Sequence, residues 1–100
     1  MDDLTALRDL VDQTNLVLRD TLQLRARLVG RIAAIKASRG LPAIDPGREA
    51  EMIARLLVDP PPGFDDADLR RIFEAILVAS RGRVARAASP EGGDPSAEQR

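Results

Sequence analysis

The sequence contains neither histidine nor cysteine among its 100 residues. These absences exclude a histidine general base, a thiolate nucleophile and an ordinary zinc site. They also exclude a disulfide framework, which would favour a secreted protein. An enzyme built from this chain therefore works with carboxylates, hydroxyl groups or fixed positive charge.

The chain also has few aromatic residues, almost no net charge and no long apolar run. Aromatics make up 2% of the chain, so a single copy has a thin core that a second copy often completes. The formal net charge of -1 gives no general attraction to nucleic acid or to an anionic membrane. No apolar run is long enough to span a membrane, and the acidic start MDDLTALRDL is unlike a signal peptide. We therefore expect a small cytoplasmic domain.

The first third of the chain has the pattern of one long amphipathic helix. Proline is missing from Asp3 to Ser38, and apolar residues recur there in steps of three and four. Such a helix is about 50 Å long, whereas a compact domain of this size has a radius of gyration of about 13 Å. The rest of the chain cannot cover it, so a second antiparallel copy is the simplest partner. The apolar positions are Leu4, Leu7, Val11, Leu18, Leu22, Leu28, Val29 and Ile32.

Two shorter helices are predicted to follow. The segment Arg39-Gly40-Leu41-Pro42 has Gly and Pro where helices stop. Asp45 followed by Pro46 is typical of a helix start, and a Pro-rich segment at residues 60–63 ends this second helix. A third helix is predicted from Asp65 or Asp66 to about Val84.

The predicted fold class is therefore all-α, with three helices of very unequal length. We expect a helical domain at residues 1–86. Residues 87–100 are small, polar and rich in Pro and Gly, which predicts a disordered C-terminal tail.

Two cations occupy the apolar face of the long helix. Arg25 lies on it, and Lys36 follows eleven residues later, about 20° round the axis. Arg8 is about 25 Å from Arg25 along the helix, so it can reach this group only from an antiparallel copy. A single such cation usually extends the charged end of its side chain into solvent or pairs with a nearby carboxylate. A cluster with Arg48 instead predicts a pocket for a small molecule with more than one carboxylate, because guanidinium groups grip carboxylates in bidentate fashion.

The arrangement of these residues resembles the all-helical chorismate mutases of the bacterial AroQ class. The resemblance covers residues 4–84, in the stretches LTALRDLVDQTN, LQLRARLVGRIAAIK, LPAIDPGREAEMIARL and LRRIFEAILVASRGRV. The positions that match the family pattern are Arg8, Arg25, Lys36, Asp45, Arg48, Glu49 and Ser80.

This resemblance implies an intertwined homodimer in which the two long helices pair antiparallel and each active site borrows a residue from the other chain. It implies a Claisen rearrangement of chorismate to prephenate, on the route to Phe and Tyr. The reaction is pericyclic and is expected to need no nucleophile, base, metal or cofactor.

The resemblance also assigns roles to single residues. Arg25 and Arg8 of the partner subunit are expected to clamp the two substrate carboxylates. Lys36 is expected to contact a carboxylate and the ether oxygen, where negative charge grows as the C–O bond breaks. The remaining expected contacts are Arg48 to the carboxylates, Glu49 and the Asp45 backbone to the ring hydroxyl, and Ser80 to the pocket wall.

Val84 departs from the family pattern, which usually has Gln or Glu four residues after Ser80 as a second donor to the ether oxygen. Loss of one such donor costs about 3–4 kcal/mol of transition-state stabilisation. The expectation is a weak mutase, a rearranged end of the third helix or a different substrate. The ending SRGRVAR resembles a subgroup of short mutases from high-GC bacteria that DAHP synthase activates by forming a complex, which makes that enzyme an expected partner.

Three alternatives remain open from the sequence. An isochorismate pyruvate-lyase usually has a longer loop after the lysine, whereas SRGLPAID has the mutase length. A 4-amino-4-deoxychorismate mutase would have nearly the same pocket, and Glu49 suits an amino group as well as a hydroxyl. A non-catalytic dimerisation or regulatory module would explain Val84 but not the intact set of cations.

Overall fold

The computed structural model describes residues 2–88, which form three helices and no strand. The helices are α1 (Asp3–Ser38), α2 (Pro46–Leu56) and α3 (Asp66–Ala88). The predicted all-α class with one very long first helix is confirmed. The predicted end of the third helix near Val84 is four residues too early. The predicted tail, apart from residues 87 and 88 at the end of α3, lies outside the described residues.

Each helix is directly preceded by an aspartate whose side chain accepts a hydrogen bond from the first turn. This bond satisfies one of the backbone N–H groups that have no partner within the helix. The hydrogen bond from the Thr5 backbone lowers the pKa of Asp2. The three bonds run from Thr5 N to Asp2 Oδ1 (2.7 Å), from Arg48 N to Asp45 Oδ1 (3.1 Å) and from Asp68 N to Asp65 Oδ1 (2.8 Å).

The C-terminus of α1 is closed by a pair of backbone hydrogen bonds typical of a Schellman motif. Leu41 N donates to Lys36 O at 2.9 Å, and Gly40 N donates to Ala37 O at 3.2 Å. Gly40 has a φ of 67°, a conformation that glycine adopts without the steric cost of a β-carbon. This turn reverses the chain and directs residues 41–45 towards the start of α2.

We expect Gly40→Ala to lower the free energy of unfolding by about 1 kcal/mol, since an alanine β-carbon is strained at this φ. No atom lies within 4 Å of that β-carbon, so the cost is one of backbone conformation alone. Chemical denaturation measures it. Gly82→Ala is the matched control: it lies inside α3 at an ordinary helical φ and should leave stability equal or higher. Equal shifts in both variants would contradict the assignment of strain to Gly40.

The third helix packs along α1 and also contacts α2, whereas the Cα atoms of α1 and α2 stay more than 8 Å apart within the described residues. The missing side chain of Gly30 makes room for Arg83 of α3, because a β-carbon at Gly30 would lie 3.0 Å from the Arg83 guanidinium. The chain is extended, with a radius of gyration of 17.5 Å, against about 13 Å for a compact domain of this length. The buried apolar side chains of the described part are few: Ala33, Ile53, Leu77 and Val84.

The first half of α1 has no cover in the single chain. Residues 2–24 are all exposed, and large apolar side chains such as Leu7 and Val11 are 60% and 58% exposed. The apolar spacing of α3 predicts that Ile72 is buried together with Leu69, Phe73, Ile76 and Leu77, whereas Ile72 is 38% exposed in the single chain. No helix among the described residues is long and apolar enough to cross a membrane.

Candidate active site

A cleft of about 210 Å³ opens between the second half of α1, the start of α2 and the C-terminal half of α3. It forms because α2 is held by the loop after α1 and by α3, which leaves a gap between α2 and α1. Seven of the eight residues predicted from the sequence line this cleft: Arg25, Lys36, Asp45, Arg48, Glu49, Ser80 and Val84.

Arg8 is the predicted residue that the single chain does not bring to the cleft. It is exposed near the start of α1 and is not among the lining residues. Seventeen residues of helix place it about 25 Å from Arg25 along the axis. This separation agrees with the sequence argument, and the contribution of Arg8 from a second copy stays a prediction.

Arg25 is half-buried and oriented by two side chains from the other helices. Its Nη1 donates to Ser80 Oγ at 2.7 Å, and its Nη2 donates to Met52 Sδ at 3.4 Å. The Ser80 hydroxyl in turn donates to Ile76 O at 2.7 Å. The hydroxyl proton is thus committed to the backbone, so that its lone pair faces the guanidinium. Ser80 is therefore a back-bonded helical serine that also lines the cleft and fixes the arginine.

Lys36 lies on the same side of α1 as Arg25 and is likewise half-buried. It belongs to the last turn of α1, where the helix dipole favours a cation. The dipole explains why a positive charge is tolerated at this position. It does not explain why the side chain lines the cleft.

The start of α2 supplies the polar wall. Asp45 uses its carboxylate as the predicted N-cap, accepting from Arg48 N. Both side chains are exposed in the single chain. The next residue, Glu49, is partly buried and accepts from Arg81 Nη2 at 2.7 Å.

Sequence reasoning missed two polar or polarisable side chains of the cleft, Arg81 and Met52. Met52 follows Glu49 by three residues, so its position on the same face of α2 could have been found from helical spacing. Arg81 is one residue after Ser80, which turns its Cα about 100° away from the serine. The guanidinium reaches Glu49 only because the Arg81 side chain is long. The spacing of residues in the sequence does not indicate this contact.

Val84 is 8% exposed and lines the cleft one turn after Ser80. Its isopropyl group offers no hydrogen bond, so this part of the wall is apolar. The expected departure from the family pattern is thus located inside the cleft.

The cleft carries a surplus of positive charge. Four cationic side chains and two carboxylates line it, and the carboxylates already accept hydrogen bonds from Arg81 and from the Arg48 backbone. Within residues 2–88, Arg25, Lys36 and Arg48 form no salt bridge. Unpaired cations in a partly buried wall are unfavourable unless an anion joins them, so the arrangement is suited to a ligand with two negative charges.

Comparison with known proteins identifies the family. Residues 7–84 match the family described as chorismate mutase type II. The T-protein of Enterobacter agglomerans is 34% identical over 95 residues, which cover 89% of this chain. The chain spans only a quarter of that relative's length, since 25% of the T-protein is covered.

Two solved structures from Thermus thermophilus are also similar. Form II of its chorismate mutase has a TM-score of 0.82 and 38% identity, covering 85% of this chain and 97% of that chain. Form I has a TM-score of 0.77 and 39% identity, covering 79% of this chain and 99% of that chain. The helical fold, the cationic cleft and these matches agree, and the chain belongs to the type II chorismate mutase family of isomerases.

Proposed function

We propose that this protein converts chorismate to prephenate, a step of Phe and Tyr biosynthesis. The observation that carries the proposal is the cleft with a surplus of two positive charges, because chorismate is a dicarboxylate. The mutase named in the Thermus thermophilus structures supports the substrate assignment. The proposed cytoplasmic location follows from the pathway.

The proposed mechanism begins with electrostatic clamping. Arg25, held by Ser80 and Met52, binds one carboxylate, and Arg8 of the partner subunit binds the other. Arg48 at the start of α2 adds a further positive charge. Two clamped carboxylates hold a flexible substrate in its compact reactive conformer, which removes an entropic part of the barrier.

Lys36 is proposed to stabilise the transition state. As the C–O bond breaks, the ether oxygen gains negative charge, and a positioned ammonium group interacts with that charge more strongly than with the neutral ether. Glu49 and the Asp45 backbone are proposed to hold the ring hydroxyl. The rearrangement moves bonding electrons within one molecule, so the mechanism uses no cofactor or metal.

A homodimer is part of the proposal. The exposed apolar residues of the first half of α1 form a surface that a monomer rarely leaves in water. A second antiparallel copy would cover this surface in both chains and would bring its Arg8 to the cleft. Sedimentation equilibrium at micromolar concentration tests this directly, and a monomer would contradict it.

The test of the function is chorismate consumption by the purified protein, followed by loss of ultraviolet absorbance, with prephenate identified as the product. It is run with and without DAHP synthase of the same organism, the proposed activating partner. Turnover by the protein alone supports the mutase. Turnover only with the partner supports an activated mutase. If chorismate is consumed neither by the protein alone nor in the presence of DAHP synthase, the mutase proposal fails. Isochorismate and 4-amino-4-deoxychorismate are then tested as substrates.

We expect Val84→Gln to raise kcat about tenfold, because the amide restores a second donor to the ether oxygen. This gain in kcat is smaller than the roughly 10²–10³-fold loss caused by removing a native hydrogen-bond donor, since the residues around position 84 do not orient a Gln amide. Burying this amide should lower stability by about 1 kcal/mol. Val84→Leu is the matched control and should not raise kcat. Equal kcat values for the Gln and Leu variants would show that position 84 does not reach the reacting oxygen.

A further inference from the structure

The ion pair between Arg81 and Glu49 is a polar contact of the cleft that the proposed mechanism does not use. Arg81 Nη2 lies 2.7 Å from Glu49 Oε1. Arg81 belongs to α3 and Glu49 to the first turn of α2. The pair therefore bridges the two helices at the cleft wall.

The two partners differ in exposure. The Glu49 side chain is 20% exposed, whereas that of Arg81 is 48% exposed. The hydrogen bond and the negative charge of Glu49 raise the pKa of Arg81, so the guanidinium stays charged at any pH used for an assay. Any ligand group that reaches Glu49 therefore also lies close to the fixed positive charge of Arg81.

This neighbour changes what Glu49 is able to recognise. A carboxylate alone accepts a hydrogen bond from a hydroxyl and attracts an ammonium still more strongly. With Oε1 bound to Arg81, the charge of the carboxylate is already compensated, and Oε2 remains as an acceptor. A neutral hydroxyl donates to Oε2 without penalty, whereas an ammonium at the same place faces the guanidinium as a like charge.

We propose that Arg81 is a specificity-determining positioning residue, which orients Glu49 to accept from a ring hydroxyl and disfavours substrates with an ammonium group at that position. This inference rests on the proposed function, because it assumes that Glu49 holds the ring hydroxyl. It favours chorismate over 4-amino-4-deoxychorismate, which is one of the alternatives that the sequence left open. The discrimination comes from a repulsive element as well as an attractive one, as selective sites commonly require.

The experiment compares kcat/KM for chorismate and for 4-amino-4-deoxychorismate in the wild-type dimer and in Arg81→Gln. The quantity of interest is the ratio of the two kcat/KM values. Both substrates are measured on the same preparation, so a variant that is partly unfolded gives the same ratio as a fully folded one. We expect wild type to prefer chorismate and Arg81→Gln to lower this preference about tenfold, the scale expected for removing a partly screened like charge.

Two further variants separate charge from structure. Arg81→Lys keeps a positive charge beside Glu49, and it should keep most of the preference. Arg71→Gln is the matched control, because Arg71 also lies on α3 and pairs with Asp68 away from the cleft. It should leave both kcat/KM values and their ratio unchanged.

The outcomes distinguish this inference from the proposed function. A lower preference in Arg81→Gln together with a retained preference in Arg81→Lys supports it. An equal change for both substrates in Arg81→Gln would show that Arg81 only stabilises the fold, and it would overturn the inference while leaving the mutase in place. Absence of turnover of both substrates by wild type, measured with and without DAHP synthase, would overturn the proposed function and this inference with it.

Discussion

Lys36→Ala is expected to lower kcat/KM for chorismate by about 10²–10³-fold, the usual effect of removing one preorganised group that stabilises developing charge. In the proposed mechanism Arg25 and Arg48 still bind the substrate carboxylates, so binding should weaken less than kcat falls. Steady-state kinetics with chorismate measure both parameters.

The fold should survive this substitution. Lys36 forms no salt bridge within residues 2–88, and removal of a half-buried unpaired cation compensates for the lost interaction with the helix dipole. We expect the free energy of unfolding to stay within about 1 kcal/mol of wild type. Activity held at some cost to stability is the behaviour of a functional site rather than of a structural one.

Arg31→Ala is the matched control for Lys36→Ala. Arg31 is an exposed cation of the same helix and does not line the cleft, so its removal should change kcat less than twofold. Lys36→Arg keeps the charge with a different reach and should retain part of the activity. Full activity in Lys36→Ala would mean that Lys36 serves only as a cation at a helix end.

The helix boundaries were predictable because they depend on neighbours in the sequence. Gly40 takes the positive φ that ends α1, and Asp45 caps α2 with its own side chain. Both effects act within a few residues. The end of α3 was predicted less well, since nothing in the sequence after Val84 stops a helix until beyond the described residues.

The cleft was predictable where helical spacing alone aligns residues, as for Arg25 with Lys36 and for Ser80 with Val84. Its remaining features depend on tertiary distance. The pairing of Arg81 with Glu49 requires the separation between α2 and α3, which the sequence does not encode locally. The bond from Arg25 to Ser80 requires the register of α3 along α1. The exposure of the apolar face of α1 within one chain was predictable from helix length alone, because the rest of the chain is too short to cover it.

A mixture of two inactive variants is expected to recover activity if Arg8 acts across the dimer. Arg8→Ala should lower kcat/KM by about 10²-fold, through loss of one charge-assisted clamp on a carboxylate. Arg8 is exposed on α1 in the single chain, so its substitution should leave the helix intact. Arg8→Ala and Lys36→Ala are each purified, shown to be nearly inactive, then mixed and allowed to exchange subunits.

The recovered activity follows from the symmetry of the proposed dimer. In a mixed dimer, the site built on the Arg8→Ala chain has its own Lys36 and takes an intact Arg8 from the other chain. The second site carries both defects. Random exchange of an equimolar mixture makes half of the dimers mixed, so about a quarter of wild-type activity should return. If Arg8 instead served the cleft of its own chain, every site in the mixture would carry one defect and no activity would return. Subunit exchange is verified with differently tagged chains, so an inactive mixture that contains mixed dimers would contradict a contribution of Arg8 from the partner subunit.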